Sequence, residues 1–226
     1  MPQNLIFDAD DTLWENNVLF ERAVELFIDH VGRPELPRER IRARLDDIEK
    51  VNNRRYGYGV DAFERSLGEC LAEFRGRIAE ADHQVLRTAC APIRAQEVEL
   101  IDGVPDTLRA LSRCHRLFLL TKGDRTEQAG KIEASGLAGH FTDIAIVREK
   151  ETAVYRDFVE RRGLSAGNTW MIGNSPRSDI WPALEAGLGA VLVPHPMTWS
   201  LEDRDLPGDH PMFRTVTPFA QLEEHF

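Results

Sequence analysis

Apolar positions along this chain recur at two different periods. Asn4-Leu5-Ile6-Phe7 opens it with an almost unbroken apolar run, the pattern of a strand buried on both faces. The spacing then becomes helical. Phe20, Val24, Phe27 and Val31 recur at i, i+4, i+7 and i+11, giving one apolar face. Ile41, Leu45 and Ile48 predict a second helix, Phe63, Leu67, Cys70, Leu71 and Phe74 a third, and Val85, Leu86, Ala89 and Ile93 a fourth. Breaks are supplied by Gly32 to Pro37 and by Tyr56-Gly57-Tyr58-Gly59. Successive amphipathic helices with short connections predict a small antiparallel bundle.

From about residue 100 helices alternate with strands. Asp102-Gly103-Val104-Pro105 opens a helix carrying Val104, Leu108 and Leu111, and Leu117 to Leu120 reads as a buried strand. Asp124-Arg125-Thr126-Glu127 has capping-box spacing with Asp in place of Ser or Thr. Ile144 to Val147, Thr169 to Ile172 and Ala190 to Val193 predict three more strands. Helices are expected over Thr152 to Arg162 and after Pro176, which suits a first helical turn. Pro207 to Pro211 reads as loop, and Phe219 to Phe226 as a docking helix. The fold class is therefore α/β: a doubly wound, mostly parallel Rossmann-like sheet with an inserted α-helical bundle. The expected division is a core of residues 1–13 and 97–226 with an insert at 14–96.

Composition narrows the partners. The 226 residues are 42% hydrophobic and 29% charged, with a formal net charge of −10. That acidity argues against general nucleic-acid or anionic-membrane binding, so an anionic substrate needs a local positive site. No apolar run approaches the roughly 18 to 20 residues of a membrane helix, and the N-terminus lacks a signal-peptide pattern. Cys70, Cys90 and Cys114 form no C-x-x-C pair; reduced thiols in a cytoplasmic protein are expected, all three buried and structural.

Chemistry enters at Asp8-Ala9-Asp10-Asp11-Thr12, directly after the first apolar run. Open α/β sheets place ligand sites at the carboxyl ends of their strands. Carboxylates this close repel one another, so a cation or proton is expected to compensate them. One carboxylate could attack, another could shuttle a proton, and Mg²⁺ could neutralise the cluster. This outlines phosphoryl transfer.

Three further segments fall at predicted strand ends: Leu120-Thr121-Lys122-Gly123-Asp124, Lys150, and Gly173-Asn174-Ser175 through Asp179. Together with the first, they resemble the pattern of the haloacid dehalogenase-like hydrolase superfamily, and the helical insert resembles its C1 cap. The resemblance implies that Asp8 is the nucleophile, forming an aspartyl-phosphate, and that Asp10 is the general acid and base. Thr12 would orient the loop, and Asp11 is a turn residue. The resemblance makes Thr121 a hydroxyl donor to the phosphoryl group, with the Lys122 and Gly123 amides in the same cradle; the Lys122 side chain, although near the site, reads as a solvated charge. Lys150 would neutralise the phosphoryl group and Asp8. Mg²⁺ would sit among Asp8, Asp10, Asn174 and Asp179. The chain departs from the family in having Gly173-Asn174 where Gly-Asp is usual, and Glu151-Thr152-Ala153 after the lysine where prolines are frequent.

Asp10 favours phosphoryl transfer over dehalogenation, because a halide needs no acid and the related dehalogenases typically lack this residue. A phosphatase acting on a small phosphorylated metabolite is the expectation. A phosphomutase with the same residues, or a binding protein weakened at Asn174, are the alternatives. Specificity would lie in the insert, where Asn52 to Gly59 combines amides, cations and aromatics; Arg54 and Tyr56 are the candidate substrate contacts. Trp14 is expected at the entry to the insert, lining the cleft or packing at the junction, and His195 as a surface or packing residue.

Overall fold

The computed structural model describes residues 2–32 and 35–226. In chain order, β1 (Asn4–Phe7) leads to four helices: α1 (Asn17–Val31), α2 (Arg38–Tyr56), α3 (Val60–Arg75) and α4 (Glu80–Ala95). Then follow α5 (Val104–Leu111), β2 (Arg116–Lys122), α6 (Arg125–Ser135), β3 (Asp143–Val147) and α7 (Thr152–Arg161). After β4 (Thr169–Gly173), a π turn at Pro176–Ile180 runs into α8 (Trp181–Glu185). The chain continues through β5 (Gly189–Leu192) and β6 (Phe213–Thr215) to α9 (Leu222–His225).

The chain divides into two compact units. One runs to Asn17 and resumes at Val98; the other is Val18–Glu97. The first holds a six-stranded sheet of order β3-β2-β1-β4-β5-β6, with every neighbouring pair parallel. Side chains alternate across its pleat. Leu5, Phe7, Leu117 and Leu119 face one apolar cluster with Val104, Leu108 and Leu222. Ile6, Phe118, Leu120 and Met171 face the other, with Tyr155, Phe158 and Ile180. Burial on both faces explains why these strands read as continuous apolar runs. β1 sits between β2 and β4, where the strand order reverses, so the loops after β1 and β4 flank the switch point.

The boundary falls after Asn17 because Leu13, Trp14 and Glu15 before it are bonded and packed into the unit that holds the sheet. Trp14 is buried in the sheet core. Glu15 N–H donates to Glu99 O at 2.9 Å, and Ile101 N–H to Leu13 O at 3.0 Å. In the helical unit the predicted faces form one core, in which Phe27, Ile41, Leu45, Leu67 and Leu71 are fully buried. Of the expected break at Gly32 to Pro37, residues 33 and 34 lie outside the described residues.

Three expectations need correction. The edge strand β6 is additional; with three residues it is too short for a periodic signal. Pro176 opens a π turn instead of an α-helix: the Ile180 N–H donates to Ser175 O at 3.1 Å, across five residues. Cys114 is exposed, unlike buried Cys70 and Cys90, because it sits in the turn that leaves α5 and not on an apolar face. No described helix is long and apolar enough to cross a membrane.

Glu49 of α2 is buried within the helical unit, and burial with the nearby Asp46 and Glu21 carboxylates pushes its carboxyl up to about 8 against the pull of Arg42. The folded chain therefore holds a proton there that the unfolded chain releases from about pH 4.5 upward. Stability is predicted to fall as pH rises from about 4.5 to 8, by about 1.4 kcal/mol per pH unit at most. Glu49→Gln should flatten this slope in urea unfolding at several pH values.

Candidate active site

Asp8 follows β1 and continues its ladder, its N–H donating to Ile172 O at 2.9 Å. The carboxylate is nearly buried. Its Oδ1 pairs with the Lys150 ammonium, and its Oδ2 lies 3.0 Å from the Thr12 hydroxyl. Lys150 is itself buried and reaches Asp179 Oδ1 at 2.8 Å, so one ammonium bridges carboxylates from two loops. Burial alone would strip the proton from Lys150, but Asp179 and Asp8 outweigh it and hold the ammonium above its ordinary range. Asp179 Oδ2 accepts the Ser175 N–H at 3.0 Å. Burial, with repulsion from Asp8, pushes Asp179 up to about 7 even though Lys150 pulls it down. Two carboxylates share one cation, and the cluster is short of positive charge.

Asn174 stands beside this pair. Its N–H donates to the Thr12 hydroxyl at 3.1 Å, and its Oδ1 lies 3.3 Å from the same oxygen. The Nδ2 donates to Thr198 Oγ1 at 3.2 Å, which directs the carbonyl oxygen toward Thr12, the residue that also holds Asp8. The donors gathered here are hard oxygens with incomplete charge compensation, and they fit Mg²⁺. Gly173 precedes them because Asp179 approaches too closely for any side chain. A Cβ there would lie 2.2 Å from Asp179 Oδ2.

Asp10 is served separately. Trp14 Nε1–H and the Lys131 ammonium donate to Oδ1 at 2.7 and 2.6 Å, and Gln128 Nε2–H donates to Oδ2 at 2.7 Å. Burial would raise this carboxyl, yet Lys131, Gln128 and Trp14 hold it below its ordinary value. Asp11 adopts a left-handed backbone, φ 60°, and its Oδ1 accepts the N–H groups of Asn16 and Asn17, both at 2.9 Å. It therefore caps the start of α1.

The second segment differs from its expectation in two ways. The Gly123 N–H donates to Val147 O at 3.1 Å, closing the β2–β3 ladder, so this amide is already bonded within the sheet. The Lys122 side chain is not solvated. It donates to Glu202 Oε1 at 2.6 Å and Ser178 Oγ at 2.9 Å, with Glu149 at 3.4 Å. Burial alone would raise the Glu202 carboxyl, but Lys122, Ser175 and Ser178 hold it below its ordinary range. Thr121 is buried, and its hydroxyl donates to Gln128 Oε1 at 3.2 Å.

Arg54 and Tyr56 lie exposed at the end of α2 in the helical unit. The Tyr56 ring is flanked by the Arg55 and Arg65 guanidinium groups at 5.1 and 4.5 Å. His195 is largely enclosed beside Glu15 (3.1 Å) and Asp11 (3.8 Å). These three side chains have the spacing of a cation site. However, the His195 Nδ1 accepts the Met197 N–H at 3.2 Å, which leaves its Nε2–H to donate to Glu15. Trp14 packs in the sheet core as a donor to Asp10, not along a cleft.

A family model for haloacid dehalogenase-like hydrolases matches residues 3–187. The chain belongs to that family. Its sequence is 32% identical over 133 residues to a mouse N-acylneuraminate-9-phosphatase, covering 55% of this chain and 52% of the relative. The chain thus spans about half the length of that curated relative. It is 23% identical over 206 residues to a glyceraldehyde 3-phosphate phosphatase of Methanocaldococcus jannaschii, covering 85% of each. A solved haloacid dehalogenase-like hydrolase from Xanthomonas campestris aligns with TM-score 0.84 and 28% identity, over 99% of this chain and 94% of that one.

Gly173→Ala should displace Asp179, lowering stability by about 1–3 kcal/mol as overpacking does. Thermal unfolding of the variant against the parent measures this.

Proposed function

We propose that the chain is a Mg²⁺-dependent phosphatase of a small phosphorylated metabolite, acting through an aspartyl-phosphate on Asp8. The observation that carries this reading is the separation of two carboxylates only two residues apart. Asp8 is bound by the Lys150 ammonium and the Thr12 hydroxyl, whereas Asp10 is bound by Trp14, Lys131 and Gln128. Different surroundings give like groups different roles.

Asp8, with its charge balanced by Lys150, is the nucleophile toward phosphorus. Lys150 then spans the carboxylate and the incoming phosphoryl oxygens, as a point charge suits phosphate. Asp179 keeps Lys150 in place and supplies the countercharge. The Thr121 hydroxyl turns from Gln128 to a phosphoryl oxygen when substrate arrives. Asp10, a carboxylate in the resting chain, takes up a proton as the phosphoryl anion binds beside it, gives that proton to the leaving oxygen and takes one back from the attacking water. Its carboxylate is committed to side-chain donors, so Asp8 and Asn174 are the side chains assigned to hold Mg²⁺. The bound ion would neutralise charge on the phosphoryl group during transfer.

The curated relatives are named for phosphatase activity on N-acylneuraminate 9-phosphate and glyceraldehyde 3-phosphate. Phosphorylated carbohydrates are therefore the first substrates to test. Arg54 and Tyr56 are proposed to contact the part of the substrate away from phosphorus, and the helical unit to act as the cap.

Release of inorganic phosphate from a panel of phosphorylated metabolites, with and without Mg²⁺, tests the reading. Asp8→Asn is expected to lower turnover at least about 10⁴-fold while leaving the unfolding midpoint unchanged or higher, since the nucleophile goes and repulsion falls. Turnover near that of the parent chain would sink the mechanism. Asn174→Asp should tighten Mg²⁺ binding in a calorimetric titration, by about tenfold for one added carboxylate. An unchanged titration would remove Asn174 from the ligands.

A further inference from the structure

Asp10 is held by side chains outside the four motifs. Lys131 Nζ lies 2.6 Å from its Oδ1 and also donates to Asn16 Oδ1 at 3.0 Å. Trp14 Nε1–H fills the second place on Oδ1 at 2.7 Å. Gln128 Nε2–H donates to Oδ2 at 2.7 Å. Gln128 is 4% exposed, and the Thr121 hydroxyl donates to its Oε1 at 3.2 Å, which turns the amide N–H toward Asp10. Gln128 and Lys131 are three residues apart on α6 and share a face. The helix start is fixed by Asp124, whose Oδ1 accepts the Thr126 and Glu127 N–H groups. Gly123 leaves the space that Gln128 fills, since a Cβ there would lie 3.0 Å from Nε2 and 3.1 Å from Cγ.

A carboxylate oxygen has two acceptor places. Among the described residues both places on Asp10 Oδ1 are taken, and one on Oδ2 remains. We propose that Gln128 and Lys131 are positioning residues that fix the Asp10 carboxyl so that Oδ2 carries the transferred proton. This rests on the phosphatase reading of Asp10. In the first half-reaction Asp8 forms its bond to phosphorus as the bond to the leaving oxygen breaks. The proton that Oδ2 takes up as the phosphoryl anion binds passes to that oxygen, the alcohol departs, and Asp10 is left as carboxylate. In the second, water attacks phosphorus and gives a proton to the same Oδ2. The bond to Asp8 breaks, which restores its carboxylate and releases phosphate.

The leaving group provides the test. A 4-nitrophenolate departs without a proton, whereas phenolate and alkoxides need one. We measure kcat/KM of the full chain with Mg²⁺ on 4-nitrophenyl phosphate and on phenyl phosphate. Gln128→Ala and Lys131→Ala are expected to lower the phenyl phosphate value about a hundredfold, the ordinary contribution of a placed acid, and the 4-nitrophenyl value less than about tenfold. Lys131→Arg should restore most of the loss on phenyl phosphate. Equal losses on both substrates would overturn the proposal, because a merely structural role does not sense the leaving group. If an alanine variant melts early, Gln128→Met and Lys131→Met are read in the same way, as they keep helix propensity and volume. A parent chain inactive on both substrates would overturn the phosphatase reading together with this one. An active parent chain whose variants lose both activities equally would overturn only the positioning role.

Discussion

The Lys150 ammonium between Asp8 and Asp179 is the interaction on which the site depends. All three side chains are nearly or fully buried. Removing Lys150 would leave two carboxylates side by side in a low-dielectric setting with no cation, at a cost of about 3–5 kcal/mol. The bridge also fixes spatial relations. It ties the loop after β1 to the loop after β4, and both to the segment after β3. Thr12 and Asn174 reinforce the first of these links, and the π turn at Pro176–Ile180 places Asp179 where Lys150 can reach it. The architecture serves this arrangement: parallel order brings three strand ends to one edge, and reversal at β1 opens a crevice there.

A second layer supports the first. Glu202 collects Lys122, Ser175 and Ser178, so a residue well beyond β5 holds the loop that carries Asn174 and Asp179. Asp10 belongs to a different network, built from α6 and Trp14. Two acids two residues apart are thereby given separate partners and separate electrostatic surroundings. That division is what a two-step phosphoryl transfer requires of one short loop.

Much of this was legible in the sequence because it is local. Leu5 to Phe7 and Leu117 to Leu120 are apolar without interruption and short, the pattern of interior strands. The motif residues follow such runs directly, and strand ends in a parallel sheet share an edge. The Asp124 cap was legible for the same reason, since its partners are two and three residues away. Other features were not legible, because they join residues far apart in the chain. Gln128 and Lys131 meet Asp10 across more than a hundred residues, and no spacing rule marks them; the only signal was their shared face on a capped helix. Lys122 read as solvated because a charge near a glycine turn usually is, and its partner Glu202 lies eighty residues away. Gly123 read as a phosphate contact, but its smallness accommodates Gln128. Strand β6 has three residues, too few to show a period.

The central claim is that Asp8 itself carries the phosphoryl group. The direct measurement is acid quenching of the full chain during turnover with Mg²⁺ and a phosphorylated substrate, followed by peptide mass spectrometry. The account predicts that the peptide containing Asp8 gains the mass of one phosphoryl group, localised to that residue. Steady phosphate release with Asp8 unmodified at every quench time, or with the group on another residue, would contradict it.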